Sequence, residues 1–348
     1  MNSEECKVQS ERRLSPVQSH GSRSRDTLAE CGLEAGAPLK NYGRRGDRPL
    51  HRGEHKLALH YRVGDVDISV QSDYAEALDD FEHLYGAFRT DRPSEHAIVM
   101  QAKADERSLF GRRRYSIHGD GVRIFGARKA TEVFPYLEWG INWRVVKRRR
   151  QFLLLHAAAL TRDGRTMMFA GNSGCGKSTL AAVLLSRGWE YLGDEFAMID
   201  PTTFEAHPFP KALCLKFGSF DIARRLNLTL FRRKHYSKDF KGPVGYVDPR
   251  ADGGAAATTP RAIDCIVFPR FEPDQTPELQ TMPRAAAAFE LARCTFNPAD
   301  FGERLMPLLC EFTRRGECMR MASGGVDETA DMLETHAAAN SNSVLVHD

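Results

Sequence analysis

The stretch that decides the fold is Gly171-Asn172-Ser173-Gly174-Cys175-Gly176-Lys177-Ser178-Thr179. It fits G-x-x-x-x-G-K-[ST], the pattern of a loop whose backbone N–H groups surround phosphate oxygens. An apolar run at 166–170 predicts a buried strand before it, and the run at 180–187 predicts a helix that ends at Gly188. The motif thus lies between a strand and a helix, the setting that a phosphate-binding loop requires. A glycine-rich turn that binds nothing is the alternative.

Each residue type in this loop has a chemical reason to be there. The glycines let the backbone bend around phosphate oxygens, and the helix N-terminus adds partial positive charge. Lys177 is expected to reach the β- and γ-phosphates of ATP, and the Ser178 hydroxyl is expected to hold Mg²⁺. Cys175 is either a small residue at a variable position or an oxidation-sensitive thiol near the helix N-terminus. The predicted nucleotide-binding residues are Gly171, Asn172, Ser173, Gly174, Cys175, Gly176, Lys177, Ser178 and Thr179.

Composition and charge narrow the function classes. The chain has 348 residues, 42% hydrophobic and 27% charged, which is typical of a globular protein with one large or two medium domains. Its formal net charge of +3 is too small to predict nucleic acid as a partner. No apolar run approaches the roughly 20 residues of a membrane span. The first residues lack the apolar core of a signal peptide, and the eight cysteines include no C-x-x-C pair, so we expect a cytoplasmic protein.

Composition and periodicity divide the chain into four segments. Residues 1–56 are polar and poor in large apolar residues, which predicts a disordered tail, and 336–348 are assigned to a disordered C-terminus. Residues 57–150 carry short alternating runs, which predict a strand-rich domain ending in a buried helix. Residues 151–335 alternate strands and helices, which predicts an α/β domain. The predicted helices outside the loop region lie at 75–88, 134–146, 285–293 and 303–316.

A pair of carboxylates supplies a second element of the predicted site. Asp194 and Glu195 follow an apolar strand that comes directly after the loop helix. Because neighbouring strands of such a sheet end near each other, we expect the pair to lie beside the loop. Phosphoryl transfer needs a carboxylate for Mg²⁺ and, when the acceptor is a hydroxyl, a base to take its proton. Two surface carboxylates in a turn are the alternative.

The spacing of these residues resembles that of the HPr kinase/phosphorylases, bacterial serine kinases with a phosphate-binding loop. His156 lies 15 residues before Gly171, and the acidic pair lies 17 and 18 residues after Lys177, as in that family. The chain is most similar to the branch called HPr-kinase-related kinase A. The stretches that carry this likeness are Leu137-Glu138-Trp139-Gly140-Ile141-Asn142-Trp143, Leu155-His156-Ala157-Ala158, Ser186-Arg187-Gly188-Trp189, Asp194-Glu195-Phe196-Ala197, Val267-Phe268-Pro269-Arg270 and Thr295-Phe296-Asn297.

The resemblance implies a fold and a set of roles. It implies an α/β P-loop nucleotide-binding domain of the HPr kinase/PEP carboxykinase-like type, with a small strand-rich N-terminal domain. It implies an ATP-dependent phosphotransferase acting on a serine of a small protein or peptide, and self-association into a homo-oligomer. Asp194 would be the general base and Lys177 would stabilise the transferring phosphoryl. Ser178 and Glu195 would hold Mg²⁺, and His156 would support the loop, the alternative being a core histidine.

Two departures from the family pattern bear on the substrate. Glu195 stands where the family usually has a second Asp. The arginine-glycine motif of true HPr kinases is missing, and residues 210–216 occupy that stretch. Lys216 and Arg270 are candidate replacement cations, or else solvated charges. A rival function is an ATP-binding regulatory module of an envelope or polysaccharide system with little transfer activity.

Overall fold

A computed structural model describes residues 58–341, apart from 93, 106–113, 232–235, 239–241 and 273. The predicted tail at 1–56 therefore lies outside the described residues, as does the predicted C-terminus beyond 341. The strands are β1 (Ala58–Val63), β2 (Val66–Ser72), β3 (Ile98–Ala104), β4 (Tyr115–Gly119), β5 (Val122–Ala127), β6 (Leu153–Leu155), β7 (Ala157–Arg162), β8 (Arg165–Ala170), β9 (Glu190–Gly193), β10 (Ala197–Ile199), β11 (Glu205–His207), β12 (Leu213–Lys216), β13 (Ser237–Lys238), β14 (Gly242–Val247), β15 (Ala255–Ala256), β16 (Arg261–Ala262), β17 (Cys265–Phe271), β18 (Glu278–Thr281) and β19 (Glu317–Ser323). The α-helices are α1 (Ala75–Tyr85), α2 (Val133–Arg148), α3 (Lys177–Ser186), α4 (Phe220–Arg225), α5 (Arg284–Arg293), α6 (Pro298–Phe301), α7 (Leu305–Phe312) and α8 (Val326–Ser341).

The segment predicted to be strand-rich forms a five-stranded sheet in chain order, β1 to β5, in which only β2 and β3 are parallel neighbours. Helix α2 packs against this sheet, and Trp139 stacks on Phe125 with ring centroids 4.5 Å apart. Most of α2 is buried, as its apolar residues on several faces indicate. Phe134 on α2 also meets Tyr246 of β14, with centroids 5.0 Å apart. One hydrophobic cluster therefore joins this sheet to the later part of the chain.

Strand β8 lies in the centre of a seven-stranded sheet of order β15-β9-β7-β8-β17-β19-β18. Strands β17 and β19 run parallel to β8, and so does β9, because β7 is antiparallel to both β8 and β9. Side chains alternate between faces along a strand. Phe169 accordingly joins the core beside α3, and Met168 joins the core beside α5 and α7. Burial of both faces accounts for the continuous apolar run of β8.

Two smaller antiparallel sheets complete a mixed α/β structure. One has the order β16-β11-β10-β6, and the other has the order β12-β14-β13. The second lies next to the loop, because Lys216 at the end of β12 contacts Ser173. Within the described ranges, no helix is long and apolar enough to cross a membrane.

Two predicted boundaries near the C-terminus are corrected. The helix predicted at 303–316 ends at Phe312, and the chain then turns into β19. Gly316 occupies this turn, where a Cβ would come within 2.7 Å of the Ile263 carbonyl oxygen. Residues 336–341, assigned to a disordered C-terminus, instead continue α8. The alanines after His336 favour helix, and the buried Ala337 anchors this last part to the core.

Candidate functional site

The loop between β8 and α3 bends through left-handed backbone conformations. Gly174 and Gly176 have φ values of 95° and 96°. A residue with a side chain would be strained in this backbone conformation. Helix α3 begins at Lys177, directly after the loop. The first amides of the helix therefore point toward the loop, where the helix dipole favours negative charge.

The side chain of Lys177 folds back over the loop. Its Nζ donates to the carbonyl oxygens of Gly171 at 2.6 Å and of Asn172 at 2.9 Å. The Cys175 sulfur lies 3.7 Å from the same nitrogen. The ammonium group is thus held at the rim of the loop, although the lysine as a whole is buried.

Asp194 contacts the loop helix directly. The Ser178 hydroxyl donates to Asp194 Oδ2 at 2.6 Å. The other oxygen, Oδ1, is buried, and no group of the described residues forms a hydrogen bond with it. Burial and the neighbouring Glu195 carboxylate raise the pKa of Asp194 above its ordinary value, although the Ser178 bond opposes the shift. An unpaired carboxylate oxygen with a raised pKa is suited to accept a proton.

Glu195 has a strained backbone. Its φ of 78° lies in the left-handed region, which a non-glycine residue occupies at a cost of about 1–3 kcal/mol. Strain of this kind occurs at binding and catalytic sites, where the surrounding structure holds it in place. The turn at 194–195 separates β9 from β10, and both of its residues line a cavity that the loop also lines.

The loop and the acidic pair face one cavity of about 300 Å³, called the acid cavity below. His156 lines it, and the Gly171 N–H donates to the His156 carbonyl oxygen at 3.2 Å. Lys216 lines it as well, and its Nζ donates to the Ser173 hydroxyl at 3.2 Å. Arg270 does not line it and instead pairs with Glu272 at 2.8 Å on the surface. The structure thus brings His156 and Lys216 to the predicted site and leaves Arg270 outside it. The residues that line the acid cavity are His156, Ser173, Gly174, Gly176, Lys177, Ser178, Thr179, Asp194, Glu195, Cys214, Lys216, Gly218, Ser219 and Val244.

A buried ion cluster behind the acid cavity was not predicted. Glu138 of α2 pairs with Lys211, and its second oxygen lies 3.5 Å from Lys238 Nζ. All three side chains are almost wholly buried. Burial alone would lower the pKa of Lys211, but the Glu138 and Glu195 carboxylates together outweigh it and raise that pKa. Glu195 adds a further favourable interaction with both lysines, so the cluster connects α2 to the acidic turn.

Sequence alone gave one weak signal for this cluster. Glu138 lies in an apolar helix and Lys211 in an apolar stretch, and charged residues in such settings are rarely buried without a partner. Nothing in the sequence indicates that these two residues and Lys238 meet, since 73 residues separate the first pair.

The donor set is compatible with a magnesium–nucleotide pair. Oxygen ligands suited to Mg²⁺ come from the Ser178 hydroxyl and the two carboxylates. Backbone amides and the Lys177 ammonium group supply positive charge for phosphates. The unpaired Asp194 Oδ1 gives this arrangement a buried acceptor that a bound hydroxyl or cation would satisfy.

Comparison with known proteins gives one partial match. A family model, SynChlorMet cassette protein ScmC, matches residues 140–229, about a quarter of the chain. The matched segment contains the loop, the acidic pair and Lys211. A search among curated proteins finds no match.

Proposed function

We propose that the chain is an ATP-dependent phosphotransferase of the HPr serine kinase-like type. It transfers the γ-phosphoryl group to a hydroxyl, a serine on a small protein or peptide. The observation that carries this proposal is the environment of Asp194. One carboxylate oxygen is fixed by Ser178, the other is buried with no partner among the described residues, and the residue lines the cavity that the loop also lines. A site that only binds nucleotide has no need of such a base.

The proposed reaction is a direct displacement. The Asp194 carboxylate takes the proton of the acceptor hydroxyl. The hydroxyl oxygen forms a bond to the γ-phosphorus, and the bond from that phosphorus to the β–γ bridging oxygen breaks, which releases ADP. Lys177 and the loop amides orient the phosphates and balance the charge that develops on them. Mg²⁺, held by Ser178 and Glu195, would neutralise charge on the β- and γ-phosphates.

Two other site residues have supporting roles in this proposal. The backbone carbonyl oxygen of His156 accepts a hydrogen bond from the Gly171 N–H, and the residue lines the acid cavity, so it holds the loop in position. Lys216 donates a hydrogen bond to Ser173, and its charge takes the place of the family's missing arginine. The family resemblance supports a peptide acceptor and a homo-oligomer, and the cysteine pattern supports a cytoplasmic location.

Labelled phosphate transfer tests the proposal. Wild-type protein and Asp194→Asn are incubated with Mg²⁺, [γ-³²P]ATP and an extract of the organism that encodes the chain. We expect wild type to label a small protein or peptide, and the variant to be slower by about 10²- to 10⁴-fold. Asp163→Asn is the matched control, because that carboxylate is 85% exposed in a distant turn, and it should transfer at the wild-type rate.

Two results would contradict the proposal in different ways. If Asp194→Asn transfers phosphate at the wild-type rate, Asp194 is not the general base. If wild type binds ATP tightly but transfers phosphate to no component of the extract, the regulatory-module function would be favoured over the kinase function.

A further inference from the structure

A second cavity lies on the other side of the phosphate-binding loop. Its volume is about 230 Å³, and we call it the apolar cavity. Its walls include Ile222, Pro269, Phe271, Met321 and Val326. The acidic pair does not line it. Its chemistry is therefore that of a site for a flat or apolar group, whereas the acid cavity suits metal ions and hydroxyls.

The two cavities meet at the loop. Both are lined by Gly174, Gly176, Thr179, Gly218 and Ser219. A ligand held by the loop amides therefore borders both cavities at once. The apolar cavity is continuous with the proposed phosphate site rather than a separate surface groove.

The strand order explains why the cavities lie on opposite sides. The loop follows β8, and the acidic pair follows β9, which lies beyond β7 on one side. Strands β17 and β19 lie on the other side and run parallel to β8, so their C-terminal ends reach the same edge of the sheet. Phe271 and Ser323 are neighbours at those ends, and both line the apolar cavity.

Phe271 presents an open aromatic ring to this cavity. The residue is 50% exposed, although large apolar side chains at strand ends are usually covered. The other exposed phenylalanines of the described chain, Phe217 and Phe289, do not line the apolar cavity. An aromatic ring beside an apolar wall is complementary to a heteroaromatic base, which stacks on such rings.

We infer that the apolar cavity binds the base of the nucleotide and that Phe271 stacks on it. This inference rests on the proposed function, since the loop must hold the phosphates. It assigns a direction to the bound nucleotide: the base lies toward β17 and β19, and the γ-phosphate lies toward Asp194. The acceptor hydroxyl then enters through the acid cavity, on the opposite side from the base.

Binding of two ligands to the full chain separates the base from the phosphates. Mg-ATP and magnesium tripolyphosphate are titrated into wild type and Phe271→Ala by calorimetry. Loss of one stacked base contact is expected to weaken Mg-ATP binding by about 5- to 150-fold. Tripolyphosphate has no base, so its affinity should not change. Phe289→Ala, which removes a 65% exposed ring on α5, is the matched control and should bind both ligands as wild type does.

A second variant gives a spectroscopic readout. Phe271→Trp keeps the stacking face, so it should restore Mg-ATP affinity. Its added tryptophan should show a change in fluorescence with Mg-ATP and none with tripolyphosphate, measured against wild type to subtract the signal of the three native tryptophans.

The outcomes distinguish the inference from the proposed function. If wild type binds neither ligand, the loop is not a phosphate site and both fail. If wild type binds Mg-ATP but Phe271→Ala binds it equally well, only the base pocket is overturned. Slower phosphate transfer by Phe271→Ala with unchanged Mg-ATP affinity would also overturn it, and would assign the cavity to the acceptor.

Discussion

Asp194 carries a prediction about pH. Burial and Glu195 raise the pKa of this carboxyl above its ordinary value of 3.8. As the pH falls through the raised pKa, a proton occupies the carboxylate and the base is lost. Phosphate transfer should therefore fall on the acid side with a midpoint above pH 3.8. A pH profile of labelled transfer checks this.

The matched variants sharpen this test. Asp163→Asn should keep the acid-side fall, whereas the residual activity of Asp194→Asn should not show it. An unchanged acid-side fall in Asp194→Asn would assign the titration to another group.

The bend of the loop at its glycines could be predicted from the sequence, but the contacts of the acidic pair could not. The loop residues could be named because their chemistry fixes their spacing along one short stretch. The spacing also made Asp194 a candidate. It did not predict the bond from Ser178 to Asp194, because that bond depends on how β9 and α3 pack. The left-handed conformation of Glu195 left no trace in the sequence, because glutamate is not a residue that favours it.

At the scale of elements, the buried ion cluster fixes α2 against the sheet β12-β14-β13. Removing one partner of a buried ion pair leaves an uncompensated charge, which costs about 3–5 kcal/mol. Glu138→Ala should therefore lower the free energy of unfolding by that amount, because it leaves Lys211 and Lys238 without their shared carboxylate. Urea unfolding followed by circular dichroism measures this.

The control for this prediction is Glu303→Ala, an exposed glutamate that should change stability by less than about 0.5 kcal/mol. A Glu138→Ala protein as stable as the control would mean that the cluster does not hold α2 in place.

Elements with strong local patterns were predicted well, and elements set by tertiary contacts were not. The strand and helix around the loop have apolar runs that identify them directly. The helix predicted at 303–316 was extended too far because Arg314 and Arg315 continue a helical pattern, and strand β19 after it was not predicted. The close approach of Gly316 to Ile263 ends that pattern, and only the folded chain contains this contact.

At the scale of the whole molecule, the described core begins close to residue 58. The first buried hydrophobic residue of the described chain is Leu59 in β1. Residues 1–50 are polar, so their composition predicts no contribution to a core. Their removal should change the melting temperature by less than about 2 °C and leave Mg-ATP affinity unaltered. A larger fall in melting temperature, measured by differential scanning calorimetry, would show that this segment packs on the domain.

The central claim is that the loop holds the phosphates of Mg-ATP, and Lys177 tests it most directly. Lys177→Met keeps the buried stem of the side chain but removes the ammonium group. Charge-assisted hydrogen bonds are worth about 1.5–3 kcal/mol, so Mg-ATP should bind roughly 10- to 150-fold more weakly in a calorimetric titration. Lys147→Met, an exposed lysine at the end of α2, is the control and should bind as wild type does. Equal Mg-ATP affinity in wild type and Lys177→Met would contradict the account.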